Sequence, residues 1–114
     1  MAILTPQQIS QVGLVPTTVT PAVGGDTLVN TAIQFFHVQN DGAVAITATV
    51  IPVVTTVIDP LLGTLVKENA ILTLAAGAEG YLGPFEIDAF NDASGNITIT
   101  CSAQTGVKLS ALYL

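Results

Sequence analysis

Apolar and polar positions alternate with a period of two through much of the chain. The clearest run is residues 44–52. There Val44, Ile46, Ala48 and Val50 fall on one face and Ala45, Thr47 and Thr49 on the other, the pattern of a half-buried strand. Residues 33–39 precede it, with Ile33, Phe35 and His37 opposed to Gln34, Phe36 and Val38. Between the two lies Asn40-Asp41-Gly42-Ala43, and Asp-Gly between apolar runs is the strongest short signal for a hairpin. The last third of the chain adds strands at 96–102 and 107–114 around Ala103-Gln104-Thr105-Gly106. Ahead of them stand residues 81–85 with Gly83-Pro84, a short acidic stretch at 86–90, and an Asx-rich loop at 91–96. Phe85, Phe90, Ile97 and Ile99 are its expected core, while Asn91-Asp92 and Gly95 supply turn chemistry.

The middle of the chain has a weaker pattern. Residues 53–58 read as strand, Asp59-Pro60 opens a turn, and residues 61–66 fit either a crossover loop or a second hairpin exposing Leu61 and Leu62. Residues 68–75 read as strand, with helix a competitor over 66–75 because Ala and Leu are good helix formers. At the start, Thr5 suits an N-cap, Pro6 the first helical position, and Ile9 with Val12 a modest stripe before Gly13. A short helix is therefore expected within residues 2–14. Residues 15–26 carry Pro16, Pro21, Gly24 and Gly25. That punctuation excludes a central strand and leaves an edge strand or an arm that reaches a neighbour. About eight short strands with turns every 8–12 residues describe an all-β antiparallel sandwich or small barrel. Residues 1–30 form its N-terminal arm or edge segment and residues 31–114 the β-sandwich domain.

Composition changes what the surface must be. Of 114 residues 50% are hydrophobic and 9% charged, whereas roughly 25–35% charge is usual on the surface of a soluble monomer. Part of the exterior must then be uncharged or apolar, and such patches mark interaction sites. The subunit is expected to be covered by neighbours. With eight acidic residues against Lys67 and Lys108, the net charge is −6. Nucleic acid and anionic membranes, which are held by Lys and Arg, are not expected partners. Residues 1–25 carry no charged side chain, so the basic start of a secretory signal is missing and synthesis without export is expected.

Candidate chemistry is sparse. Glu86, Asp88, Asn91, Asp92, Ser94 and Asn96 could offer oxygen ligands to Ca²⁺, but the cluster does not match the twelve-residue EF-hand loop, and a solvated turn fits it better. Neither a metal nor a cofactor is expected. His37 is the single histidine and Cys101 the single cysteine, so triads, zinc sites and disulfides lack their parts. Cys101 is in phase with Ile97 and Ile99 and should pack as a small hydrophobe. Glu86 and Asp88 could pair as glycosidase carboxylates, yet the chain has no Trp and only two Tyr to stack a sugar. An enzyme is not expected.

Two stretches, FHVQNDGAVAITATV and GPFEIDAFNDASGNITITCSAQTGVKLSALYL, together resemble small capsid decoration (cement) proteins of tailed bacteriophages. The matching features are a strand ending in Asn40-Asp41-Gly42, a Thr-rich return strand, Gly83-Pro84-Phe85 followed by Phe90-Asn91-Asp92 and Gly95, and a final Thr-Gly-Val strand. The likeness covers roughly half of the chain and is weakest over residues 1–30 and 53–70. It implies a jelly-roll-like sandwich, commonly a homotrimer, on the exterior of a virion capsid. The implied partners are the major capsid protein and further copies of the chain. Contacts are then expected from the N-terminal segment and the loop at 59–68, through Ile3, Ile9, Val12, Leu14, Val15, Val19, Leu61 and Leu62. A surface-displayed carbohydrate- or receptor-binding β module, or a tail or neck protein, is the alternative.

Overall fold

The computed structural model describes residues 2–54, 56–61, 63–66 and 68–114, with the side chains of 56–59 and 64–66 outside the description. Two β-sheets stack face to face. The larger contains β1 (Ala2–Ile3), β3 (Asp26–Val29), β10 (Asn96–Cys101), β5 (Ile46–Val50) and β8 (Ala70–Leu74), in that order across the sheet. The smaller runs β2 (Gln7–Gln8), β11 (Val107–Tyr113), β4 (Gln34–Asn40) and β9 (Glu79–Leu82). A separate hairpin joins β6 (Thr56–Asp59) to β7 (Gly63–Val66). The expected all-β sandwich is thus present, with mixed rather than purely antiparallel sheets. β1 runs parallel to β3 and β2 parallel to β11.

Period-two burial fills the space between the sheets. Phe36 and Val38 from β4, Ala48 and Val50 from β5, and Leu109 from β11 are fully enclosed, as are Ile97 and Ile99 from β10 to within 1%. The expected core residues Phe85 and Phe90 join them, 3% and 5% exposed, with their rings 5.2 Å apart edge to face. Phe90 ends a single helical turn, α1 (Ile87–Phe90), where the acidic stretch had suggested no helix. Conversely, the helix expected within residues 2–14 does not form. Its apolar stripe was too short to sustain an isolated helix, and the chain instead completes two sheet edges. Within residues 66–75, where helix competed, Ala70–Leu74 forms strand β8.

The hairpin expected at Asn40–Ala43 is an arch instead. β4 and β5 lie in different sheets, each already hydrogen-bonded on both edges, β4 between β11 and β9 and β5 between β10 and β8. Both strands have an apolar face, and facing those sets across the core buries more surface than laying them side by side. Val44, expected on the inward face, is consequently 74% exposed in the arch. The 103–106 turn likewise joins β10 in one sheet to β11 in the other. Every connection among these nine strands changes sheet, apart from the passage from β5 to β8 through the β6–β7 hairpin.

Two buried asparagines fasten the ends. Asn40, wholly enclosed, donates from Nδ2 to the carbonyls of Val44, Leu74 and Ala75 and accepts at Oδ1 from the Gly42 N–H. Its backbone bonds Gly77 and Ala78, and the neighbouring Asp41 N–H donates to the Gly106 carbonyl, so three turns meet around Asn40 and Asp41. At the opposite end Asn30, 3% exposed, donates to the Phe85 carbonyl and to Asn91 Oδ1, while Asn91 Nδ2 donates back to the Asn30 carbonyl. Buried amides satisfied this fully specify geometry as well as adding stability.

The exposed area, 6610 Å², exceeds the roughly 5,900 Å² expected of a compact chain of this mass. The radius of gyration, 14.8 Å, likewise exceeds the roughly 13.3 Å of a compact domain. Projecting loops account for the excess, and they bear the candidate surfaces.

Candidate interaction surfaces

The N-terminal segment closes one side of the sandwich with two passes. The first runs along β3, buries Leu4 in the core, and crosses to β11, where Ile9 N–H donates to the Tyr113 carbonyl. Residues 9–18 then loop outward, and the second pass returns as Val19, whose N–H and carbonyl both bond Leu109. Gln7 pins the base of the loop, its amide donating to the Thr17 carbonyl and accepting the Thr17 N–H. Asp26, 1% exposed, holds both passes by accepting the Ala2 and Ala22 N–H groups. A groove of about 420 Å³ lies between the passes over β11, lined by Ile3, Thr5, Thr17, Val19, Leu109 and others.

The side chains named as contact candidates separate into groups. Val12, Val15 and Leu61 are 90%, 92% and 94% exposed, Ile3 is 82% exposed, and Leu14 and Val19 are exposed to a lesser degree. Ile9 is half-buried beside β11. Leu62 lies outside the described residues. Ile51, Val53, Val54 and Ile87 are also exposed, and sequence reasoning missed them. They sit in short segments without alternation, so nothing in the pattern separated outward from inward.

The outer sheet faces differ. On the larger sheet, Thr27 pairs with Thr98, Thr100 with Thr49 and Thr47 with Thr73, giving a face of uncharged threonines. On the smaller, His37 stands opposite Ser110 on one side and Tyr81 on the other. Glu79 Oε2 lies 3.3 Å from His37 Nε2, and the His37 and Tyr81 rings are 5.0 Å apart. Neither His37 Nδ1 nor the Ser110 hydroxyl has a hydrogen-bond partner. The row holds an acid, a histidine and a serine, which sequence spacing did not foreshadow because they come from three strands. No hydrogen bond joins Ser110 to His37, and Ser110, which is 2% exposed, belongs to the lining of the groove over β11.

Cys101 packs against the core in phase with Ile97 and Ile99. Burial, with the nearby Asp26 carboxylate, pushes its thiol up to about 11, which holds it protonated and poorly nucleophilic. Among the described residues, no group of three or more His, Cys, Asp or Glu side chains could hold a metal ion, and no helix is long and apolar enough to cross a membrane. The Asx-rich loop uses its oxygens internally, since Asp92 Oδ1 accepts the Ser94 and Asn96 N–H groups. Comparison with protein-family models, curated proteins and solved structures returns no match.

Proposed function

We propose that this chain is a structural virion subunit that binds the exterior of a tailed-phage head and ties major capsid proteins together. The observation that carries the reading is the set of aliphatic side chains held almost fully in solvent, Val12, Val15 and Leu61, on a chain with ten charged residues. Exposed apolar area of this kind is maintained where a partner covers it. The framework beneath suits the role, because arches fastened by buried amides hold loops in place without any reactive group. The strand order β3-β10-β5-β8 with β4 beside β9 supports a jelly-roll plan of interleaved Greek keys, with the β6–β7 hairpin drawn out of the sheets. The likeness of residues 35–50 and 83–114 to decoration proteins supplies the particular partner. A homotrimer fits the same reading, since repeated weak contacts on a lattice add through effective concentration.

The test is binding to tailed-phage heads stripped of their decoration protein, followed by sedimentation and electron microscopy. Saturable density at symmetric sites on the shell, with added resistance to heat or chelator, is the expected result. A chain that neither binds heads nor forms an oligomer by native mass spectrometry overturns the proposal.

A further inference from the structure

The exposed apolar side chains are not spread evenly over the sandwich. β11 runs from Val107 beside Asn40 to Tyr113 beside Gln34, and β5 runs from Ile46 to Val50 towards the Asn30 end. The 9–18 loop leaves the sheet at Tyr113, the 51–54 segment follows Val50, and Val53 and Val54 N–H groups bond the Ala89 carbonyl. The 9–18 loop, the β6–β7 hairpin and α1 therefore all leave from the Asn30 end. That end carries Val12, Val15, Ile51, Val53, Leu61 and Ile87, each at least 47% exposed. At the opposite end, the turns 20–25, 41–45, 75–78 and 102–106 contain two large exposed aliphatics, Val23 and Val44.

The same end is acidic. Glu68, Glu86, Asp88 and Asp92 are exposed there, with no cation among the described side chains of segments 51–70 and 83–96, a balance of −4. The 9–18 loop adds no charge. Two copies meeting through this end would bring together −8, with both sets repelling across a desolvated contact, and like charges facing each other suppress a pairing. A surface that is apolar at its centre and cationic at its rim gains from both features. Anionic lipid and nucleic acid are excluded by the same sign.

We infer that the Asn30 end is a docking face for a foreign protein whose surface is aliphatic with a lysine- or arginine-rich rim. Copies of this chain then meet through other faces. The inference rests on the head-binding reading for the identity of the natural partner, but not for the location or chemistry of the face.

The experiment uses the isotope-labelled full chain and a defined probe, a synthetic amphipathic peptide with one leucine face flanked by lysines. A control peptide replaces the lysines with glutamates. Amide shifts at residues 9–16, 51–54 and 86–92 are expected with the lysine peptide only, and the binding should weaken with added salt. The double variant Val15→Asp/Leu61→Asp, altered at sites more than nine-tenths exposed, should lose at least about tenfold in affinity, whereas Val44→Asp should not. Any one of four results overturns the inference. These are no binding at all, shifts centred on 41–45 and 75–80, equal binding of both peptides, or loss of the wild-type oligomer in the double variant. Equal partition onto phosphatidylcholine vesicles would identify a lipid surface and overturn it too. Binding of the peptide at the Asn30 end by a chain that ignores phage heads would refute the head reading alone.

Discussion

The two ends of this sandwich are fastened alike and dressed differently. Each has a buried asparagine that gathers turns from separate parts of the chain, Asn40 at one end and Asn30 at the other. At the Asn40 end the turns are short, and one charge pair, Lys108 Nζ to Asp41 Oδ2 at 3.0 Å, bridges two of the elements in solvent. At the Asn30 end a hairpin, a helical turn and the N-terminal loop project beyond the core. Ala32 there is held at φ 69°, a left-handed conformation that costs a non-glycine residue about 1–2 kcal/mol. Asn30 Oδ1 accepts the Ala32 N–H and helps hold it. The contrast teaches that similar internal anchors can serve opposite ends, closing the chain on itself at one and steadying protruding surface at the other.

Glycine substitutions should separate the ends most sharply. At Gly106, φ is +78° and a Cβ would meet the Gly42 backbone at 2.9 Å, so strain and collision act together. At Gly95, φ is +79° but nothing lies within 4 Å of the added carbon. Gly106→Ala is expected to cost about 3 kcal/mol or more and Gly95→Ala about 1 kcal/mol, read from urea midpoints. Equal losses would mean that the closed end is no tighter than the open one.

The asparagines come next in size. Asn40→Ala strips four hydrogen bonds from an enclosed site and should cost about 2–3 kcal/mol. Asn30→Ala, whose loops reach solvent and can rehydrate, should cost about 1–2 kcal/mol. Hydrogen exchange would sharpen this, with protection lost at Gly77, Ala78 and Asp41 in the first variant and at Ala32 and Asn91 in the second.

Strands with a long period-two pattern were legible because alternation reports burial directly. Residues 44–52 and 96–102 yield β5 and β10, and the inward set Ile97, Ile99, Phe85 and Phe90 is the core found. Sheet membership was not legible. Asp41-Gly42 has the same local chemistry whether the next strand pairs alongside or crosses the core, and the choice falls to distant groups such as Leu74 and Gly106. The N-terminal helix failed for a related reason. Local capping residues were present, but Leu4 and the open edges of β3 and β11 offered more burial and backbone pairing than a free turn of helix. As for the candidate surface, Val12, Val15 and Leu61 could be named from the sequence because they lie in the N-terminal segment and the 59–68 loop, whose Pro and Gly set them apart from the strands of the sandwich. Their gathering at one end with Ile51, Val53 and Ile87 is a product of topology, which no local pattern encodes.

Cys101, at the Asn40 end of β10, gives the smallest effect and a direct reading of how closed that end is. Its thiol titrates near 9.0 when unfolded and at about 11 in the fold, chiefly because it is buried and secondarily because the Asp26 carboxylate opposes a second negative charge. A raised folded value means that the native state keeps its proton where the unfolded chain loses it. The resulting contribution to stability is whole below pH 9 and disappears as pH rises from 9 through 11. Wild type should therefore lose urea resistance between pH 8.5 and 10.5 faster than Cys101→Ala, which lacks this thiol. Alkylation by iodoacetamide at pH 8 should be slow in the wild type and faster in Asn40→Ala, since loosening the three turns admits solvent to the end of β10. Unchanged alkylation in that variant, with stability lost all the same, would show that Asn40 supports the fold without sealing the end it occupies.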